Sequence, residues 1–416
     1  MLYSAGPATD EYSFWLDAGP DATSGWSWLG SGSPAAAPRD LGCHAGPMPA
    51  DGGGLNDGFR GGWVGWLGYD DAARHAGAPA LDDPLLPQEA GMHVDRFVAA
   101  DHAARRMWAY APADTIDDYV AEVQRWCVPP QAPITGVSRE VRARHTPDAY
   151  RDLIEKCRAA IREGEAYQLC LTTRFEVAGE VDPLSTYLRL RAATPAHHGG
   201  IIRVGPSSLL SASPERFVEI ADGVVRTRPI KGTRPRGSND SDDAAQIDEL
   251  RTSVKEQAEN VMIVDLMRND LQRVCQPGTV ATERLLEVES YPAVHQLVST
   301  VAGRLRPGIR IGDVLTAAFP AASMTGAPKL AAMTILNGLE AAPRGIFSGC
   351  FGWIGDDGRA DLAMVIRSIA VHPGGAYVGA GGGITWLSDA AAEREEVSLK
   401  ARGPLAALGG RLPSGW

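Results

Sequence analysis

Little in the sequence points to a membrane, a nucleic acid or an oxidising compartment. The 416 residues contain no run of eighteen apolar side chains, which removes a membrane-spanning helix from consideration. Basic residues are in deficit, 40 Lys and Arg against 51 Asp and Glu, for a net charge of −11. A surface of that sign does not gather phosphates, so no nucleic-acid partner is expected. Cysteine is sparse: Cys43, Cys127, Cys157, Cys170, Cys275 and Cys350 are scattered without C-x-x-C spacing, and reduced thiols are the expected state. No charged-then-apolar leader follows Met1, so the expected compartment is the cytoplasm. Internal repeats and low-complexity tails are missing. Nucleotide motifs are missing too. The small-residue turn at 319–329 lacks P-loop spacing, and GAGGG at 379–383 has Ile384 at its sixth position and runs into strand-like residues.

What the chain does have is ample core material, 44% of residues being hydrophobic, and a length that fits two or three average domains or one large one. The first 125 residues read as strands and turns. FWLD at 14–17, WSWLG at 26–30 and FRGGWVGWLGY at 59–69 are aromatic and glycine-rich, as half-buried strands are. Those tryptophans fill a core or line a pocket; the pattern fits both. A long loop is expected at 31–57, a short helix at 117–127, and a boundary at 128–143 where three prolines are followed by arginines. The division is therefore 1–127 and 146–405.

The densest chemistry lies at 229–270. PIKGTRPRG sets Lys231 among Arg228, Arg234 and Arg236, with Gly232 and Gly237 to let the backbone turn. Like charge disfavours a protonated amine, so the arginines are expected to lower the pKa of Lys231. An acidic loop and a helix follow, with Leu250, Val254, Ala258, Val261 and Val264 as its apolar face. Glu256 and Glu259, three apart on an adjoining face, suit a hard divalent cation. A basic surface loop and a solvated helix would use the same residues.

Elsewhere, Thr146 and Pro147 fit the cap and first position of a helix whose apolar face is Tyr150, Leu153, Ile154, Cys157 and Ile161. The alternation of YQLCLTTRF at 167–175 puts Gln168, Cys170, Thr172 and Arg174 on one strand face, which is solvent-facing unless another element covers it. Glu215 follows Pro214 between two strands, where a glutamate is ordinarily exposed. His295 lies on a strand, and strands are expected at 347–354, 361–371 and 376–378. In the last helix Glu393, Glu396 and Lys400 share a face; Glu396 and Lys400 also make an i,i+4 pair worth ~0.2–0.5 kcal/mol.

In order and spacing, SPERF, PIKGTRPRG, KEQAENVMIVDLMRNDL, VHQLVSTVAGRL, FPAASMTGAPK, RGIFSGCFGWI, MVIRSIAV, GAGGGI and the final E-x-x-E-x-x-x-K resemble the chorismate-utilising enzyme family over residues 146–405. FWLD and FRGGWVGWLGYD are similar to its less regular front half. The resemblance implies an α+β fold, two face-to-face β-sheets with helices on the outside, forming one intertwined unit. It assigns Glu259 and Glu396 as Mg2+ ligands, supported by Glu256 and Glu393, with the ion holding the ring carboxylate of chorismate. Arg367 would grip the other carboxylate as a bidentate fork. Gly382 and Gly383 would offer backbone N–H groups, with Thr325, Lys329, His295, Gln168 and Lys400 around the substrate. Glu215 would be the acid that protonates the departing 4-hydroxyl.

Two positions imply which product. Relatives that act at C2 usually read PIAGT. PIKGT resembles the branch in which the lysine attacks C2, leaving ammonia to enter at C4 and give 4-amino-4-deoxychorismate, on the route to p-aminobenzoate and folate. Gln168 stands where the water-adding branch has a lysine base, and glutamine cannot act as one. The LLES signature of anthranilate-forming relatives is absent. Ammonia is expected from a separate glutamine amidotransferase subunit. Ala322, Asn260, Ala390 and Ser368 depart from the family pattern without touching an assigned ligand. A C2-aminating enzyme of the anthranilate type and a non-catalytic chorismate-binding subunit are the alternatives.

Overall fold

A computed structural model describes residues 2–43, 58–126, 138–291 and 294–416, so most of the loop expected at 31–57 and of the boundary at 128–143 lies outside the described residues. Among the described residues, eleven strands form one sheet and ten another, with antiparallel pairing. The first runs Gly326–Ala327, Gln168–Ala178, Gly375–Ile384, Ser368–His372, Ser207–Ser213, His198–Val204, Tyr12–Asp17, Trp26–Ser31, Phe97–Asp101, Arg106–Tyr110, and Arg142–Ala143 also pairs with Gln168–Ala178. The second runs Ile230–Pro235, Val294–Arg304, Val224–Thr227, Arg216–Ala221, Ala360–Met364, Cys350–Gly355, Gly62–Leu67, Glu89–Val94, Ser33–Pro34, with Ala281–Ser290 also on Val294–Arg304. Strands from before residue 127 and strands from after residue 146 therefore share both sheets.

Burial explains the layering. One core cluster joins Phe14, Phe97, Ile202 and Leu209 of the first sheet to Trp63, Trp66, Phe217 and Phe351 of the second. A second lies on the other face of the first sheet, where Leu169, Leu171 and Phe175 meet Tyr150, Ile154 and Cys157 of the helix Pro147–Arg162 and Val397 and Ala401 of the helix Ala390–Ala407. Thr146 caps the first of these helices, its side chain accepting from the Ala149 N–H. The alternate row Gln168, Cys170, Thr172 and Arg174 is buried as well, so this polar face is covered, not solvated.

Four local expectations are corrected. Residues 229–237 do not form a loop; Ile230–Pro235 is a strand, bent by Gly232 at φ 82° and by a register break between Ile230 and Thr233. The long helix is two, Asp240–Thr252 and Val254–Gln272, because Ser253 leaves the helical region and caps the second through the Glu256 N–H. That break rotates the apolar face: Val254 and Val261 are 79% and 46% exposed, while Ile263, Val264, Met267 and Leu271 are buried. The stretch 361–371 is two strands in different sheets, Ala360–Met364 and Ser368–His372, with Arg367 at φ 51° in the crossover. Finally, GAGGG is not a break between strands but the interior of one, Gly375–Ile384.

Candidate active site

The bend at Gly232 sends adjacent side chains to different places. Ile230 lines a cavity of about 360 Å3 together with Pro214, His197, Trp26, Trp28 and Trp353. Some of the N-terminal tryptophans thus line a cavity, whereas Trp63 and Trp66 are core. Lys231 is half-buried as a residue but its ammonium is enclosed, among Glu259, Cys170, Glu215 and Glu396. Burial pulls its pKa down, yet those four neighbours outweigh burial and hold it above the ordinary lysine value. The arginines do not act on it as expected. Arg228 pairs with Glu289, Arg234 lies 3.1 Å from Glu249 and 3.6 Å from Glu256, and Arg236 is bidentate to Asp243 at 2.8 Å.

Glu215 is 5% exposed, contrary to the usual fate of a turn glutamate. Its carbonyl accepts the Met364 N–H at 3.0 Å, which fixes it where Ala360–Met364 ends. Burial raises its carboxyl pKa, with Lys231 and Lys400 opposing. Glu259, from Val254–Gln272, is also raised by burial, with Lys231 and Lys255 opposing. Glu396 behaves oppositely: Lys400, 2.7 Å away, holds it down at about 2. Lys400 also donates to the Gly381 carbonyl at 2.9 Å. Glu393 is buried and accepts from Ser388 Oγ at 2.8 Å and Lys255 Nζ at 3.1 Å, while Lys255 lies 3.9 Å from Glu259. Lys255 thus spans the two helices that carry the glutamates.

Three oxygens in this region, Gln168 Oε1, Glu215 Oε1 and Glu259 Oε1, are buried without a hydrogen-bonding partner among the described residues. Buried polar atoms rarely go unpaired, and where they do a ligand, ion or water is the ordinary explanation. A Cβ on Gly383 would sit 2.3 Å from Gln168 Nε2 and 3.7 Å from Lys231 Nζ, and one on Gly382 3.3 Å from Glu393 Oε2, so both glycines keep this space open. Arg367 is lowered from the usual guanidinium pKa by burial, with Glu396 opposing. Its side chain makes no hydrogen bond or ion pair with another described residue.

The remaining candidates have other partners. Thr325 donates its hydroxyl to Ala321 O at 3.2 Å, and its carbonyl accepts the Cys170 N–H at 2.8 Å. Lys329 is committed to Asp270 at 2.7 Å. His295 is fully buried between Asp243 at 2.9 Å and Ser290 at 2.8 Å, not beside the carboxylates around Lys231. Two neighbours of Lys231 and Glu259 were given no site role from the sequence, Cys170 and Lys255. Cys170 shares a strand face with Gln168, and Lys255 is one helical turn before Glu259; the same periodicities could have found them. Among the described residues no group of three or more His, Cys, Asp or Glu side chains forms a metal site by itself, and no helix is long and apolar enough to cross a membrane.

Comparison with known proteins fits this geometry. The family model described as chorismate binding enzyme matches residues 34–406. An aminodeoxychorismate synthase of Streptomyces pristinaespiralis is 41% identical over 402 residues, covering 91% of this chain and 56% of its own length. Component 1 of the aminodeoxychorismate synthase of Klebsiella aerogenes is 38% identical over 343 residues, 81% of this chain and 75% of its own. Anthranilate synthase component I from Streptococcus pneumoniae TIGR4 superposes with a TM-score of 0.77 at 26% identity, covering 95% of this chain and 92% of that one. The chain spans about half the length of its Streptomyces synthase relatives, 56% of one and 49% of another.

Proposed function

Since the chain belongs to the chorismate binding enzymes, we propose that it aminates chorismate at C4 to give 4-amino-4-deoxychorismate. The observation that carries this reading is the enclosed Lys231 amine set against the buried carboxyl of Glu215. Neutral Lys231 Nζ bonds to C2 of the ring. The ring electrons shift and the 4-hydroxyl leaves as water on taking the proton of Glu215. Ammonia then bonds to C4 and returns one proton to the Glu215 carboxylate, the electrons shift back, and the C2–Nζ bond breaks to release the lysine as a neutral amine. The upward shift of the Glu215 carboxyl suits an acid, since burial favours its protonated form.

Arg367, whose side chain makes no hydrogen bond or ion pair with another described residue, would hold one substrate carboxylate through two parallel hydrogen bonds. A Mg2+ ion suits the donors near Lys231, where Glu259 has a buried oxygen without a hydrogen bond and Glu396 is a further carboxylate acting on the same amine. Glu259 and Glu396 would hold the ion, with Glu256 and Glu393 behind them; with so few donors the set needs substrate oxygen and water to be complete. When bound, the ion supplies positive charge to the ring carboxylate and offsets the glutamate charge that keeps a proton on Lys231. Ammonia would come from a glutamine amidotransferase subunit, as the component 1 name of a relative fits a second subunit. The work would be done in the cytoplasm, with the product passing toward p-aminobenzoate and folate. Anthranilate formation is the second reading, favoured by the anthranilate synthase that superposes on 95% of the chain; Lys231 opposes it by occupying C2.

Mass spectrometry of the product from chorismate, Mg2+ and an ammonium salt tests the proposal. A 4-amino-4-deoxychorismate peak is expected; anthranilate as the sole product would overturn it.

A further inference from the structure

The strand Gln168–Ala178 carries Gln168 and Cys170 toward Lys231, but one of its edges is incomplete. Gly375–Ile384 pairs with it along one side from Ala178 to Leu169. On the other side Gly326–Ala327 covers only Leu169 and Gln168, and Arg142–Ala143 covers only Glu176 and Phe175. Among the described residues no strand covers that edge from Cys170 to Arg174; the Thr325 carbonyl takes the Cys170 N–H and the Arg144 N–H gives to the Arg174 carbonyl, both at 2.8 Å, and the Cys170 carbonyl and Thr172 lie between them. An unpaired edge in a protein interior leaves backbone groups without partners, and a slip of one residue would turn every side chain to the wrong face.

The gap is filled by side chains. Arg344 Nη2 donates to the Cys170 carbonyl at 2.8 Å, and Glu340 Oε1 accepts the Thr172 N–H at 2.8 Å and its hydroxyl at 2.9 Å. The two are joined to each other at 2.7 and 2.9 Å, and their side chains are 2% and 3% exposed. One donor and one acceptor two residues apart are what a neighbouring strand would offer. Arg344 also donates to the Met324 carbonyl at 2.7 Å, just before Thr325, whose own carbonyl takes the Cys170 N–H. Arg344 is itself held. Asp70 accepts the N–H groups of Arg344 and Gly345 at 3.2 and 2.7 Å, and the Tyr69 ring lies 4.3 Å from the guanidinium carbon. A fully buried ion pair is a poor way to gain stability, because desolvation cancels most of its attraction. Its place here is better explained by what it holds.

We propose that the Arg344–Glu340 pair is a positioning device that stands in for the missing strand and fixes Gln168 and Cys170 against Lys231. The activity arm rests on the chorismate reading above; the backbone arm does not. The test compares the parent with Arg344→Lys and with the double variant Glu340→Met/Arg344→Met, in which two apolar chains of similar length replace the pair. The double variant leaves the Cys170 carbonyl and the Thr172 N–H without partners, so it is expected to fold but to melt below the parent. Its Cys170 and Thr172 amides should exchange faster, while amides in Tyr12–Asp17 stay protected. Its kcat should fall on the order of 100-fold with KM near the parent value, as a displacement of about 1 Å at a reacting group would cause. Arg344→Lys keeps the charge but not the fork, and should recover part of kcat. A double variant with parental kcat, or with unchanged exchange at 170 and 172, overturns the proposal. So does a loss of kcat that only tracks the unfolded fraction. If the double variant does not fold, Arg344→Lys is judged by the same readings. A parent that does not aminate chorismate defeats the functional reading alone, and exchange at 170 and 172 still decides the role of the pair.

Discussion

In the proposed reaction Lys231 would have to lose a proton and Glu215 to keep one, and the surroundings push on both. The carboxylates raise the lysine's pKa and burial raises the glutamate's. Lys231→Ala is expected to abolish the adduct of chorismate minus water that mass spectrometry should find on the parent when ammonia is withheld. It should also open C2 and yield some 2-amino product. A variant that makes only the 4-amino product at the parental rate would leave the covalent route without support. Glu215→Gln removes the acid and should lower kcat by ~10²–10⁴. Its effect on stability has the opposite sign. A carboxyl whose folded pKa lies above its ordinary 4.5 favours folding at low pH, and this is lost as pH rises through the folded value. The melting temperature of Glu215→Gln should therefore match the parent near pH 4 and exceed it increasingly above. Equal melting temperatures across that window would mean Glu215 is not strained by burial. Both residues were legible because their motifs are distinctive. The proton affinity of Lys231 was not, since the sequence shows the nearby arginines but not that the fold gathers Glu215, Glu259 and Glu396 around the amine.

At the scale of elements, capping and alternation were readable wherever a single local cause decides. Thr146 and Pro147 start a helix because of their own side chains, and alternation along 167–175 gives the two faces correctly. The break at Ser253 was readable and was missed: Thr252 and Val254 are β-branched, and Ser253-x-x-Glu256 has the spacing of a helix start, the serine accepting the Glu256 N–H. Strand propensity, by contrast, cannot tell that 361–371 changes sheets at Arg367. The turn before Lys329–Glu340 offers a test of how one glycine supports the site. Gly326 has φ 147°, and a Cβ there would lie 2.1 Å from the Gln168 carbonyl oxygen. Gly326→Ala should cost on the order of 1–3 kcal/mol in denaturant unfolding, and should pull the Thr325 carbonyl off the Cys170 N–H. Parental stability would mean the turn can shift freely. The helices Val254–Gln272 and Ala390–Ala407 carry the proposed ion ligands, so Glu396→Ala should abolish turnover and a chelator should do so reversibly. Full activity of that variant in excess chelator removes the ion assignment.

Across the whole molecule, both sheets draw strands from each end of the chain, so local pattern named the strands without naming their neighbours. The fold class was reached through motif order, and the cavity behind Ile230 and Pro214 was not reached at all. The last expectation concerns nitrogen, and it uses every cysteine. Releasing ammonia from glutamine requires a thiolate on a G-x-C-x-G elbow backed by histidine. Cys43 lies in LGCHAG and Cys350 in SGCFG, and no cysteine has the elbow spacing. The structure adds a second reason. Burial pushes the thiols of Cys43 and Cys157 up to about 12 and raises those of Cys170, Cys275 and Cys350, so none of these five is an available thiolate at neutral pH. Cys127 lies outside the described residues. The purified chain should therefore aminate chorismate with ammonium salts, at a rate that rises with pH as free ammonia accumulates, and should not use glutamine. Adding a separately purified glutaminase subunit should restore glutamine use. Glutamine-dependent product from the chain alone, at a rate unchanged by removing contaminating ammonium, would falsify the division of labour.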